Sequence, residues 1–100
     1  MADSEKIVAV CISGSVQGVG FRAFVQREAE CRGISGFVRN RRNGDVEALF
    51  AGSIEAVDAL VAACSSGPAR ARVAHLAVYE PQADALAELP PRGFHLLPSL

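Results

Sequence analysis

The stretch KIVAVCISGSVQGVGFRAFVQREAECRG, residues 6–33, decides the fold. Its first part, Lys6 to Ser13, is an almost unbroken apolar run rich in β-branched residues, which predicts a strand buried on both faces. Gly14 to Gly20 follows, with three glycines in seven residues. Beyond it Phe21, Phe24, Val25 and Ala29 recur at helical spacing, with Arg22, Arg27, Glu28, Glu30 and Arg32 between them, the pattern of an amphipathic helix. Gly33 stands where a left-handed residue ends a helix. A strand, a glycine-rich turn and a helix are therefore joined in one unit.

Outward from this unit, Ile34 to Arg42 and Asp45 to Gly52 alternate in polarity around Asn43-Gly44, a pair that favours the positive φ angles of a two-residue hairpin turn. In the first arm Gly36, Val38 and Asn40 share one face, and Phe37, Arg39 and Arg41 the other. Ser53 is placed to cap a second helix, with Glu55 in its first turn and an apolar stripe of Ile54, Val57, Leu60, Val61 and Cys64. Gly67-Pro68 stops it. Arg72 to Glu80 alternates again and predicts a strand. Residues 81–93, with three prolines, predict a loop carrying a helical turn over Asp84–Leu89, and Phe94 to Leu97 a last short strand. The order is βαββαβ plus a terminal strand. It predicts an α+β, ferredoxin-like sandwich: an antiparallel sheet, two helices on one face, and a short C-terminal strand. The whole of residues 1–100 reads as one domain, since a domain takes roughly 100–200 residues, with residues 1–5 a flexible start.

Composition narrows the function. Ten Lys+Arg against 11 Asp+Glu leave a net charge of −1, which excludes bulk capture of nucleic acid or an anionic membrane. Cys11, Cys31 and Cys64 are too few and too far apart for a disulfide framework, form no zinc pattern, and read as inert core thiols of a reducing cytoplasm. The polar, acidic beginning, Met1-Ala2-Asp3-Ser4-Glu5, lacks the features of a signal peptide, and no apolar run approaches the ~20 residues of a membrane span. The two histidines, His75 and His95, lie in strand-like runs without ligand partners nearby, so no metal site or cofactor is expected.

The chemistry sits in the glycine-rich turn. Such a turn entering a helix lets backbone N–H groups converge, and the helix start adds unpaired donors and partial positive charge. That is a cradle for an anion, most naturally phosphate. Arg22, in the first helical turn, adds a planar fork suited to phosphate oxygens. A plain tight turn followed by a solvated arginine is the bland alternative. A P-loop is excluded, because no Gly-Lys-Ser/Thr closes the turn. Gly18 to Ala23 satisfies a dinucleotide-binding spacing. The context is wrong, however: the next strand runs into a hairpin, and the chain is too short for two mononucleotide-binding halves.

Ile12 to Arg22, reading ISGSVQGVGFR, resembles the first signature of the acylphosphatases. Gly36-Phe37-Val38-Arg39-Asn40, followed by Asn43-Gly44-Asp45-Val46-Glu47 and Gly52, resembles their second. The resemblance runs over residues 6–80 and includes Phe94-His95-Leu96. It implies the ferredoxin-like sandwich and hydrolysis of acyl phosphates to a carboxylate and phosphate without metal. By this resemblance Ser15, Val16, Gln17, Gly18, Val19 and Gly20 form the phosphate cradle, Arg22 binds phosphate, and Asn40 orients the attacking water. The implied partners are an acyl phosphate substrate and inorganic phosphate as product and inhibitor, acting on a monomer. Ser15 stands where arginine is common, Arg41 where threonine is common, and the proline-rich 81–93 segment and the Pro98-Ser99-Leu100 tail depart from the pattern.

The residues also bear bland readings. Gln17 supplies turn geometry and a backbone N–H rather than a side-chain contact. Phe21 opens the apolar stripe and belongs to the core. Arg39, Arg41 and Arg42 read as a solvated hairpin face, as do Asp45 and Glu47. A non-catalytic phosphate sensor on the same fold would not need Asn40. An RNA-binding sheet would need exposed aromatics on its central strands, where the chain offers Cys11, Ala48 and Leu49.

Overall fold

The computed structural model describes residues 5–99. Strand β1 (Glu5–Ser15) leads through the glycine-rich turn into helix α1 (Phe21–Cys31). Strands β2 (Ser35–Asn40) and β3 (Val46–Ser53) form the hairpin, helix α2 (Ile54–Ser66) follows, and strand β4 (Arg72–Tyr79) returns to the sheet. A short helix α3 (Ala83–Ala87) and strand β5 (Phe94–Leu96) complete the order. The expectation of a flexible start concerns residues 1–4, which lie outside the described residues, and Glu5, which is already the first residue of β1.

The five strands lie in the order β4-β1-β3-β2-β5. β1 pairs antiparallel with β3 and β4, and β2 antiparallel with β3. The sheet is not wholly antiparallel, because β5 runs parallel to β2, with Gly36 opposite Phe94 and Val38 opposite Leu96. The physical reason is the route between β4 and β5. Residues 80–93 cross the reverse face of the sheet, so the chain enters β5 in the direction of β2.

Period-two alternation sorts the strand residues between two cores. Val8, Val10, Ile12, Val38, Val46, Ala48 and Phe50 face the two long helices. These answer with Phe21, Val25 and Ala29 from α1 and Val57, Leu60 and Cys64 from α2, each set at helical spacing. Ser53 caps α2 as expected, its hydroxyl oxygen accepting from Ala56 N at 3.1 Å. On the reverse face Ala9, Phe37 and Leu49 are covered by Ala85, Leu89 and Leu97. The expected helical turn there is helix α3, and i→i+3 bonds from Glu88 N and Leu89 N carry it on to Leu89. Gly36 allows the close approach of β2 and β3: its φ is +146°, and a Cβ would lie 1.8 Å from Leu49 O.

Two local expectations are corrected. The hairpin does not turn on Asn43-Gly44 with both φ angles positive; only Gly44 takes a positive φ, of 100°. Arg41 N donates to Asp45 O at 2.8 Å and Gly44 N to Arg41 O at 3.1 Å, which closes a three-residue loop in which the glycine supplies the bulge. Asn43 keeps a negative φ, and its Oδ1 accepts from Asp45 N at 3.0 Å, a local bond that needs no left-handed backbone. Arg39 is not on a solvated face: it is 4% exposed, beneath the α3 segment.

Of the three cysteines only Cys64 is a core thiol; Cys11 is half-buried and Cys31 exposed. Burial pushes the Cys64 thiol up to about 12. Burial also raises that of Cys11, helped by its hydrogen bond to Asp45. Reactivity follows the thiolate and its access. A thiol-disulfide reagent at mildly alkaline pH should therefore modify Cys31 in the native protein and reach Cys64 only after unfolding in guanidinium, as read from released chromophore. Rapid modification of Cys64 in the folded protein would contradict this packing.

Candidate active site

The topology gathers the functional residues before any side chain is considered. β1 and β2 both lie antiparallel to β3 and so run parallel to each other, and β5 is parallel to β2. Their C-terminal ends, Ser15, Asn40 and Leu96, therefore meet at one end of the sheet. α1 begins at this same end, and the turn of residues 16–20 connects it to β1.

A cleft of about 230 Å³ opens there, lined by Val16, Gly18, Gly20, Phe21, Arg22, Ala23, Asn40 and Leu96. Its floor is apolar and fixed, since Val16 and Phe21 are 1% and 2% exposed. Gly18 and Gly20 take φ angles of 75° and 81°, a region open to glycine at no steric cost. Gly20 is the residue that starts α1, and no side chain caps the helix. No acidic residue lies in its first turn either. The first N–H groups of a helix have no partner within it, so these donors remain available to a ligand in the cleft.

Arg22 and Asn40 contribute the only polar side chains of the lining, and both are half-buried. Among the described residues neither takes part in a side-chain hydrogen bond or an ion pair. Arg32, Arg39 and Arg41, by contrast, all pair with glutamates. A half-buried guanidinium without a counter-charge, beside free backbone donors, is a site made ready for an anion.

The structure brings together Val16, Gly18, Gly20, Arg22 and Asn40 of the expected set. Ser15 stands outside the lining, paired with Arg72 across β1 and β4. Val19 packs against the core. Gln17 turns away: its Nε2 donates to Arg41 O at 2.7 Å and to Asp45 O at 2.8 Å. Its side chain thus ties the glycine-rich turn to the hairpin that carries Asn40. Ala23 and Leu96 also line the cleft and were not singled out; Leu96 comes from the far end of the chain, and only the parallel pairing of β5 brings it here. His75 and His95 are exposed and lie outside the cleft, with His95 Nε2 against Arg92 O at 3.2 Å. Among the described residues no cluster of metal-ligating side chains is present, and no helix is long and apolar enough to cross a membrane.

Comparison with known proteins identifies this arrangement. The family model for acylphosphatases matches residues 8–95. The chain belongs to the acylphosphatase family. It is 55% identical over 82 residues to an acylphosphatase of Azorhizobium caulinodans, covering 82% of each chain. It is 48% identical over 97 residues to one from Nitrobacter winogradskyi, covering 96% of this chain and 98% of that one. The crystal structure of acylphosphatase from Bacillus subtilis superposes with a TM-score of 0.80 at 35% identity, covering 91% of this chain and 97% of that one. Membership at this level carries acylphosphatase activity, the hydrolysis of an acyl phosphate.

Gln17 offers a direct test of how this acylphosphatase site is assembled. Gln17→Ala removes two side-chain hydrogen bonds to hairpin carbonyls that each keep a backbone donor, and should lower stability to urea by about 1 kcal/mol. Amide exchange should speed up over residues 41–45 while α2 stays protected. Unchanged exchange at the hairpin would show that the link carries no load.

Proposed function

We propose that the phosphoryl group of the substrate is held by Arg22 and the backbone N–H groups of residues 15–20, and that Asn40 positions the attacking water, with no metal required. The observation that carries this reading is that Arg22 and Asn40, each without a side-chain partner among the described residues, share one cleft with the uncapped start of α1.

The reaction fits that inventory. The water oxygen forms a bond to phosphorus as the bond from phosphorus to the acyl oxygen breaks. The leaving group is a carboxylate, stable at neutral pH without protonation, so the cleft needs no general acid. The proton of the attacking water passes to the phosphoryl oxygens. Asn40 cannot act as a base, but its amide can hold the water in line with the leaving oxygen, converting an encounter into an oriented step. Arg22 and the backbone donors neutralise the phosphoryl oxygens as charge redistributes. Asn40 lies at the end of a paired strand, opposite Val46, which restrains its aim more than a loop would. The three free thiols fit a reducing cytoplasm.

Release of phosphate from benzoyl phosphate should proceed at the same rate with and without EDTA. Arg22→Ala should lower kcat/KM on the order of 100–1000-fold, as for loss of a group that stabilises transition-state charge. It should also weaken inhibition by inorganic phosphate. Asn40→Ala should lower kcat on the order of 100-fold, the scale of a misplaced reactant, while phosphate inhibits as before. Full turnover by Asn40→Ala would sink the water-holding role. Phosphate binding without any turnover of acyl phosphates by the folded wild-type protein would indicate a sensor instead.

A further inference from the structure

The reverse side of the sheet carries a second polar constellation that the reaction scheme leaves unused. Arg39 is the one buried charged residue among the described residues. Both its terminal nitrogens reach the Glu88 carboxylate at the end of the α3 segment, Nη1 donating at 3.4 Å. Its guanidinium lies 4.9 Å from the centre of the Phe37 ring. Its Nε faces Glu47 Oε1 at 3.5 Å, beyond hydrogen-bond reach, and has no hydrogen-bond partner. That same Glu47 oxygen accepts from Arg41 Nη1 at 2.8 Å.

Glu47 thus engages the residue before Asn40 and the residue after it. It does so from the middle of the sheet: it lies opposite Arg39 in β2 and opposite Cys11 in β1, the two strands that flank β3. Asn40 needs such support. It is the last paired residue of β2, and Arg41 already belongs to the turn. β5 gives no help on the outer side, because its pairing ends at Leu96 opposite Val38. Gln17 holds the turn from the cleft side through Arg41 O and Asp45 O. Glu47 holds it from behind.

We infer that Glu47 is a positioning residue for the hydrolysis: by bridging Arg39 and Arg41 it fixes the backbone at Asn40, and with it the aim of the Asn40 amide at the attacking water. The inference rests on the role proposed above for Asn40. Among the described residues Glu47 makes no hydrogen bond or ion pair with residues 15–20 or with Arg22, and it reaches them only through the hairpin that Gln17 also holds. The stability of the Arg41 arm is a weak explanation for the arrangement, since Arg41 is well exposed and pairs of that kind contribute little. Geometry is the stronger lever, because small displacements of a positioning group cost much in rate.

The test is a kinetic cycle on the intact protein with benzoyl phosphate as substrate and inorganic phosphate as inhibitor. Glu47→Ala should lower kcat about tenfold while the phosphate inhibition constant stays within about twofold, the signature of an effect confined to the reacting step. Glu47→Gln, which keeps an acceptor for both arginines, should fall between Ala and wild type. Arg41→Ala, an exposed change that breaks the outer arm without disturbing the core, should lower kcat about threefold and keeps the test open if Glu47→Ala folds poorly. In an Asn40→Ala background the Glu47 substitutions should change kcat by less than about twofold, since residues acting as one unit are not additive. Wild-type kcat in Glu47→Gln and Arg41→Ala together overturns the inference. So do losses that multiply with that of Asn40→Ala, or a matching loss of phosphate affinity. These results leave the role of Asn40 standing, whereas full turnover by Asn40→Ala alone removes that role and the inference with it.

Discussion

The molecule is organised around unsatisfied backbone donors at the start of α1. A helix start has N–H groups with no internal partner, and most proteins cover them with a side-chain cap or water. Here the residue that starts the helix is Gly20, in a left-handed conformation and without a side chain to fold back on those donors. The turn also lacks acidic residues that would quench the local field. The remaining architecture serves this exposed end. Val16 and Phe21 pin the turn to the core. The strand order delivers Asn40 to it from two strands away. The net charge of the chain is nearly zero, yet the one half-buried guanidinium without a counter-charge among the described residues stands at this point.

A second organising element is the charge behind the sheet. Burying Arg39 is costly unless it is paired, and the pairing recruits Glu88 from the segment after β4 as well as Glu47 from β3. The apolar contacts of Ala85, Leu89 and Leu97 close the same surface. This cover removes the central strands of the reverse face as a platform for bases, since Ala9, Phe37 and Leu49 all lie beneath it; the exposed aromatic on that face, Tyr79, stands on the edge strand β4. The proline-rich 81–93 segment, which departs from the pattern of the family signatures, is thus a structural part of this sheet.

The legible features of the sequence are those encoded by neighbours. The apolar run of β1, the spacing of Gly14, Gly18 and Gly20, and the stripe of Phe21, Val25 and Ala29 all act within a few residues, and so does Ser53, whose hydroxyl caps α2. Features that depend on distant segments are not legible in this way. Arg39 reads as a surface charge because the residues that bury it lie more than 40 positions further on. Leu96 reads as an ordinary strand residue because only the parallel pairing with β2 brings it to the cleft. Gln17 is visible as part of a turn, but not as the tie between that turn and the hairpin. Asn43-Gly44 shows the other limit, a strong local preference overruled by an equally local side-chain bond.

One consequence lies in which side chains the cleft omits. An acyl phosphate is a mixed anhydride and an acylating agent, able to transfer its acyl group to an amine, thiol, imidazole or hydroxyl held against it. The lining of Val16, Gly18, Gly20, Phe21, Arg22, Ala23, Asn40 and Leu96 contains none of these groups. In the proposed binding mode, main chain, guanidinium and amide therefore do more than hold charge. They leave the substrate's carbonyl carbon with no nucleophile but water, so the site is guarded against covalent capture by the compound it destroys.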